Sequence, residues 1–377
     1  MKKVLAMLLL ATVLLAGLLS GCTAGDAVLT GTVAEIDEDG NVYLDGILPE
    51  DVANAGIEAG DKVCLSVNGK TWDMVFAGNI GDSASKMFEP ALAFEGDTIA
   101  VFIKYRNCAE ELGVSADSDT RVEIVLSKPK GLAGWYQVLY TEFSDERSND
   151  RSEFASDAQF ANFREIAFGG IKSHNIYRSS TPVSPELGRA SCTDRLIENA
   201  KIRTVVNLKD SSEDVEAFMG EAGFDSPYYK SLYDCGHVVT LNIGKDFSSA
   251  DYKDKLKRGV EFMLANEGPY LIHCAEGKSR TGFVLFVLEA FMGAGLEDIH
   301  DDYLESWVNF YHYTEESEAY KDIWKMRGGQ IVTYLTGEED YGKVSAGQLQ
   351  AASASYLLDC GLTEAQLTEL RALLSGN

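Results

Sequence analysis

A chain of 377 residues with 45% apolar and 24% charged side chains has the composition of a folded protein, which excludes a disordered or low-complexity one. Its 59 acidic against 33 basic residues give a net charge of −26, a surface that repels nucleic acid and gains nothing from anionic lipid. Any phosphate-bearing ligand must therefore be drawn in by a local positive site.

The first element is "MKKVLAMLLLATVLLAGLLSGC". A basic start at Lys2 and Lys3 precedes an apolar run too short and too terminal to be a convincing spanning helix. Residues 1–21 read as an export signal, excluded from the fold. The closing Leu19-Ser20-Gly21-Cys22 resembles the lipobox of bacterial lipoproteins. That resemblance implies a diacylated Cys22 as the mature N-terminus, with the protein held at the membrane on its extracytoplasmic side. An ordinary secretory signal with an incidental Cys22 is the alternative.

Residues 22–127 read as a small β-barrel or sandwich. "LTGTVAEIDEDGNVYLDG" alternates about Asp39-Gly40, and "DKVCLSVNGKTWDMVFAG" about Asn68-Gly69, both hairpin signatures. "GDTIAVFIKY" and "DTRVEIVLS" add two strands. Asp37, Asp39 and Asn41 faintly suggest a calcium loop, but the glycine and distal glutamate are misplaced, so a solvated turn is expected. Cys64 and Cys108 are a possible disulfide. The stretch "EGDTIAVFIKYRNCAEELGV" and the strand after it distantly resemble the C-terminal barrel of S-adenosylmethionine hydroxide adenosyltransferases. That resemblance implies a barrel shape and no chemistry.

"SKPKGLAGW" (127–135) and the polar "SDERSNDRSEFASD" (144–157) make residues 128–158 a linker and exposed segment. From 159 to 377 strands alternate with helices, the pattern of an α/β domain. "RTVVNL" and "VVTLNI" are buried-strand candidates, and 251–268 has helical period. "PYLIHC" is the next strand, followed by a helix over "TGFVLFVLEAFMGAG" that is apolar nearly all round. Several helices complete the chain, the last with a capping box at Thr363 and Gln366.

Between that strand and the buried helix lies "HCAEGKSRTG". Backbone N–H groups of Ala275, Glu276, Gly277, Lys278, Ser279 and Arg280 can converge on one centre, with the helix N-terminus adding its positive end. Gly277 permits the backbone angles such a loop needs. A cysteine at that focus, Cys274, is favoured as thiolate. Arg280 supplies a fork for two phosphate oxygens. His273 is expected to fix the loop through ring hydrogen bonds, and Thr281 to donate its hydroxyl to the departing sulfur. The chemistry this supports is attack by sulfur on phosphorus, giving a phosphocysteine. No cofactor or metal is called for.

"HCAEGKSRTG" resembles the signature loop of the cysteine-dependent protein tyrosine phosphatases. With "FANFREI…IYRSSTPVSPELGRA…RTVVNLKDSSEDVEAF" upstream and "DDYLESWVNFYHYTEES…YLLDCGLTEAQLTELRALL" downstream, the chain from about 160 to 374 resembles the bacterial tyrosine/lipid phosphatases that share an HCxxGKxR loop. The resemblance implies a phosphatase-like α/β domain with a mostly parallel central sheet flanked by helices, Cys274 as nucleophile and Arg280 as clamp. The family often has aspartate where this chain has Ser279. Its acid loop corresponds to "LNIGKDFSSADYKDK", which points to Asp246 as proton donor. Asp251, which reads better as a helix cap, and Glu276 are the alternatives.

The expected substrate is a phosphorylated protein or a small phosphomonoester, with phosphotyrosine or dual specificity leading. Lys278 at the rim is as in relatives acting on phosphoinositides or inositol phosphates, and Glu276 partly cancels it. A surface ion pair is the plainer reading of these two. A phospho-ligand-binding pseudophosphatase is the alternative of another class. A cysteine-loop redox enzyme would need a resolving cysteine, for which only Cys235 could approach.

Overall fold

The computed structural model describes residues 27–79, 88–116, 120–129 and 148–376. The export signal, Cys22 and most of the expected linker lie outside them. The described residues divide into two compact units, one comprising residues up to 103 with 107–129, the other 104–106 with 148–376.

The first unit is a closed seven-stranded barrel in the order β1-β2-β6-β5-β4-β3-β7. Its strands are β1 (Val28–Ile36), β2 (Val42–Asp45), β3 (Lys62–Val67), β4 (Lys70–Asn79), β5 (Pro90–Glu95), β6 (Thr98–Ile103) and β7 (Arg121–Lys128). The β3–β4 turn has Asn68 and Gly69 at φ of 52° and 72°, the doubly left-handed turn that Asn-Gly favours because it matches strand twist. All neighbours are antiparallel except β4 and β5, which run parallel. Alternation sends Val63, Leu65 and Val67 of β3 into the core with Leu44, Phe76, Leu92, Val101 and Ile124. Two short helices, α1 (Pro49–Asn54) and α2 (Cys108–Leu112), add Val52 and Leu112 to that core.

The same alternation rules out the Cys64–Cys108 bridge. Cys108 lies in the core cluster, whereas Cys64 sits between Val63 and Leu65 and faces the other side of the wall. No disulfide joins them, and burial pushes the Cys108 thiol up to about 12. The Asp37 turn is self-contained: Oδ1 accepts from Asp39 N (3.0 Å) and Asn41 N (2.8 Å).

The second unit is an α/β domain. Its sheet has the order β11-β10-β12-β9-β8, with β8 (Arg164–Ile166), β9 (Ile176–Ser179), β10 (Thr204–Asn207), β11 (Val238–Thr240) and β12 (Tyr270–His273). Only β8 runs antiparallel. β9, β10 and β12 are fully buried, as strands covered on both faces must be. β11 stops at Thr240 and is only half-buried because it is the sheet edge.

Its helices are α3 (Asp157–Phe160), α4 (Ala190–Asn199), α5 (Ser212–Met219), α6 (Pro227–Asp234), α7 (Ala250–Ala265), α8 (Ser279–Phe291), α9 (Leu296–Tyr311), α10 (Glu318–Met326), α11 (Gly328–Thr336), α12 (Ala346–Asp359) and α13 (Glu364–Ser375). α8 is buried at every position from Thr281 to Phe291, as its unbroken apolar sequence requires. The α13 capping box forms, Thr363 N donating to Gln366 Oε1 at 2.9 Å and Gln366 N to Thr363 Oγ1 at 3.2 Å.

Residues 148–158, read from sequence as exposed linker, belong to this unit. Phe154 is buried against Phe160, with ring centroids 5.1 Å apart, and the Arg189 guanidinium lies over both rings. Arg189 Nη2 also donates to Ser148 O at 2.6 Å. One aromatic residue among polar neighbours is enough to fold the segment in. None of the helices in the described residues is long and apolar enough to cross a membrane.

Candidate active site

β12 lies between β10 and β9, and the register sets Asn207, His273 and Ser179 abreast at the carboxyl ends of these strands. Loops leaving parallel strands at that edge converge, which is where open α/β sheets bind ligands. The 274–278 loop leaves from the middle of this edge.

Its conformation is set by where its carbonyls go. Ala275 O accepts from Thr181 N at 2.8 Å, Glu276 O from Asn162 Nδ2 at 2.9 Å, and Gly277 O from Arg178 Nη2 at 2.6 Å. Lys278 O accepts from Gly282 N at 2.8 Å as α8 begins. With these carbonyls tied to the outside, the intervening amides turn to the enclosed side and form an anion nest. Gly277 is required: its φ is +68°, and a Cβ there would stand 2.2 Å from Ser179 O.

A buried polar layer stands behind the loop. Arg178, 0% exposed, pairs through Nη1 with the Asp302 carboxylate. Arg164 Nε donates to Asp302 Oδ1 at 2.7 Å, and its Nη1 to Asn162 Oδ1 at 2.6 Å. Burial pushes the Asp302 carboxyl up, but the guanidiniums of Arg164 and Arg178 outweigh this and hold it below the usual range. Burial, with the Asp302 charge beside it, pushes Glu289 well above the carboxylate range. Glu289 is therefore a neutral acid that donates to Asp302. Sequence patterning does not single out Arg164, Arg178, Asn162 or Asp302, because apart from the Arg164–Asn162 and Asp302–Glu289 contacts their partners lie 99 to 147 positions away. The available signal is an arginine inside the apolar strand "IYRS".

Cys274 heads the loop and is 4% exposed. His273 is fully buried, and burial pushes its imidazole down to about 4, so it is neutral. Its Nδ1 lies 3.2 Å from Cys274 O, its Nε2 has no hydrogen-bond partner among the described residues, and the ring contributes no positive charge. The Thr281 hydroxyl is buried in the first turn of α8 with no hydrogen-bond partner among the described residues. Arg280 donates Nε to Ile243 O at 2.7 Å, anchoring the guanidinium. Both Nη groups remain unengaged among the described residues. Lys278 Nζ pairs with Glu276 Oε2 at 3.1 Å and lies 4.2 Å from the Trp307 and 4.3 Å from the Tyr311 ring centroid. The pair is mostly buried, so it is not the simple surface bridge that is the alternative reading of these two residues.

Asp246 follows β11 on a loop pinned to the same core. Phe247 stacks on Phe283 at 3.8 Å, and Phe247 O accepts from Tyr356 Oη at 2.6 Å. The Asp246 carboxylate turns back on its own loop, taking Ser248 N at 2.9 Å and Ser248 Oγ at 2.5 Å. Asp251 is not the helix cap: Ser249 accepts from Tyr252 N, and Asp251 pairs with Lys255 at 2.8 Å on the surface. Asp210, on the loop after β10, has no signal in the sequence that marks it for the site; it is 2% exposed.

A model of the tyrosine phosphatase family matches residues 158–376, more than half of the chain. The chain belongs to the tyrosine phosphatase family. This cysteine-phosphatase assignment accounts for the loop, the strand before it and the buried helix after it. Among solved structures, the chain is similar to an uncharacterized conserved protein from Thermotoga maritima at 19% identity. That match covers 27% of this chain and 37% of the other, at a TM-score of 0.24. It is also similar to the core catalytic domain of the PP-IP phosphatase SIW14 from S. cerevisiae, solved with citrate. There the identity is 19%, the cover 49% of this chain and 96% of the other, and the TM-score 0.26. Neither likeness bears on what this chain acts upon.

Proposed function

We propose that the chain hydrolyses phosphomonoesters through a phosphocysteine intermediate, with phosphotyrosine-type or dual-specificity protein substrates leading. The observation that carries this reading is the cradle at 274–280, whose carbonyls are held outside by Thr181, Asn162 and Arg178. The converging amides and the α8 N-terminus make the loop headed by Cys274 a site for an anion. Arg280 holds two phosphate oxygens while the amides take the third. Sulfur attacks phosphorus, the bond to the ester oxygen breaks, and that oxygen leaves with a proton. Water then attacks phosphorus, the S–P bond breaks, and phosphate and thiolate are released. Asp246 is the donor suggested by chain order, with Oδ1 held by Ser248 and Oδ2 left to carry a proton. Two cations stand on the loop, and Lys278 is already paired with Glu276. This supports a singly phosphorylated group over a highly phosphorylated inositol.

The lipobox-like stretch supports an exported lipoprotein anchored through Cys22. Radiolabelled palmitate should enter the wild type and not Cys22→Ser.

The deciding experiment is phosphate release by the purified protein beside Cys274→Ser. The panel is phosphotyrosine, phosphoserine and phosphothreonine peptides, phosphoinositides and inositol hexakisphosphate, all with chelator present. Release from phosphotyrosine peptide that vanishes in the variant is the expected result. Binding without release by the wild type would make the cradle a receptor instead.

A further inference from the structure

We infer that Asp210, not Asp246, protonates the leaving oxygen, an assignment that rests on the phosphatase reading. Asp210 lies three residues beyond the end of β10, and β10 runs beside β12 with Asn207 abreast of His273. Leu208 N donates to His273 O at 2.9 Å, so this loop runs directly alongside the start of the cysteine loop. On its other side Asp210 O accepts from Asn242 N at 3.3 Å, and the next residue, Ile243, accepts Nε of Arg280. Asp210 therefore shares its anchoring segment with the phosphate clamp.

The Asp210 carboxyl is arranged as an acid. Oδ2 accepts from Asn207 Nδ2 at 3.0 Å, and Asn207 Oδ1 accepts from Asp210 N at 3.1 Å, which fixes the group in place. Oδ1 takes no hydrogen bond among the described residues and is the atom that can carry the proton. Burial pushes the carboxyl above the usual aspartate range. The Asn207 amide, Lys209 and Arg280 oppose that push, while Asp214 reinforces it. The charged or titratable groups facing it are Lys209 on its own loop, Asp214 on α5, Tyr229 on α6 through Asn207, and Arg280 on α8. A donor must hold its proton into the working pH range, which a buried carboxyl does. Asp246 has Oδ1 taken by two hydrogen bonds from Ser248 and lies nearer the surface than the 2%-exposed Asp210.

Protons and bonds balance across the two steps. The O–H bond of Asp210 breaks as the P–O bond does, the proton goes to the ester oxygen, and Asp210 is left as carboxylate. Water attacking the phosphocysteine then returns a proton to it.

The test compares Asp210→Asn and Asp246→Asn in the full chain on p-nitrophenyl phosphate and phenyl phosphate. The first substrate leaves well without a proton and the second does not. Asp210→Asn should lower kcat/KM on phenyl phosphate by about 100-fold or more, leave p-nitrophenyl phosphate within about threefold, and abolish the fall in activity on the alkaline side. Asp246→Asn should not separate the two substrates. Thermal melting and vanadate binding control for folding. Loss of vanadate binding in Asp210→Asn, or equal losses on both substrates, would overturn the assignment. So would a substrate-dependent loss in Asp246→Asn. All three leave the phosphatase reading standing. No turnover of either substrate by the wild type would overturn both.

Discussion

The barrel and the layer behind the cysteine loop are both fully buried, yet they are held by opposite means. The barrel core is apolar throughout, and apolar side chains of similar volume can largely replace one another there. Behind the loop, Asn162, Arg178 and Asp302 are buried and Arg164 nearly so. Each is held by a named polar partner, with Arg178 Nε alone among their side-chain nitrogens lacking one among the described residues. Apolar burial fixes a shape, whereas a satisfied polar network also fixes which way each carbonyl points. Only the second can hold a cradle of amides open.

The sharpest way to break this comparison is Asp302→Asn, which leaves two buried guanidiniums without a counter-charge. A stability loss of about 3–5 kcal/mol is expected in chemical denaturation, with phosphate release lost as well. Glu289→Gln should do almost nothing, since Glu289 is already neutral, and an equal loss there would mean that it carries charge. In the barrel, Leu65→Ala should cost about 2–5 kcal/mol. Hydrogen exchange should show this as lost protection in β3 and β4 with phosphate release unchanged. A pH dependence comes next in size. His273 sits near 4 when folded and near 6.5 when free, so the unfolded chain binds the extra proton. Its contribution is fully present above about 6.5 and is lost as pH falls toward 4, a slope worth about 3 kcal/mol. Stability measured across that window should flatten in His273→Gln. At the small end, Lys230→Ala breaks an exposed pair with Asp234 and should change stability by about 0.3–0.5 kcal/mol.

Much of this fold is legible in the chain. Alternation about Asp39-Gly40 and Asn68-Gly69 reads as hairpins; Asn68-Gly69 forms the two-residue left-handed turn, and Asp39-Gly40 lies in a longer connection between Ile36 and Val42. The loop between a buried strand and an apolar helix reads as an anion cradle from equally local signals. The parallel β4–β5 contact is not legible, since strand order depends on distant pairing. Arg178 and Asp302, 124 positions apart, cannot be matched from spacing, and neither residue type advertises a buried role. Asp210 stays hidden because "NLKD" looks like an ordinary polar turn, and only the fold shows Asn207 clasping it beneath the surface. Asp246 stands out by its place in the chain, and place in the chain does not reveal that Ser248 holds its Oδ1.

The outward tethers of Ala275, Glu276 and Gly277 bear on the fate of the product. A cradle already assembled has no ordering step with which to distinguish an ester from the free anion left after its hydrolysis. Inorganic phosphate should therefore compete for the site as a product inhibitor, and tetrahedral oxyanions of the same size should do so too. Where phosphate accumulates, turnover will slow of its own accord.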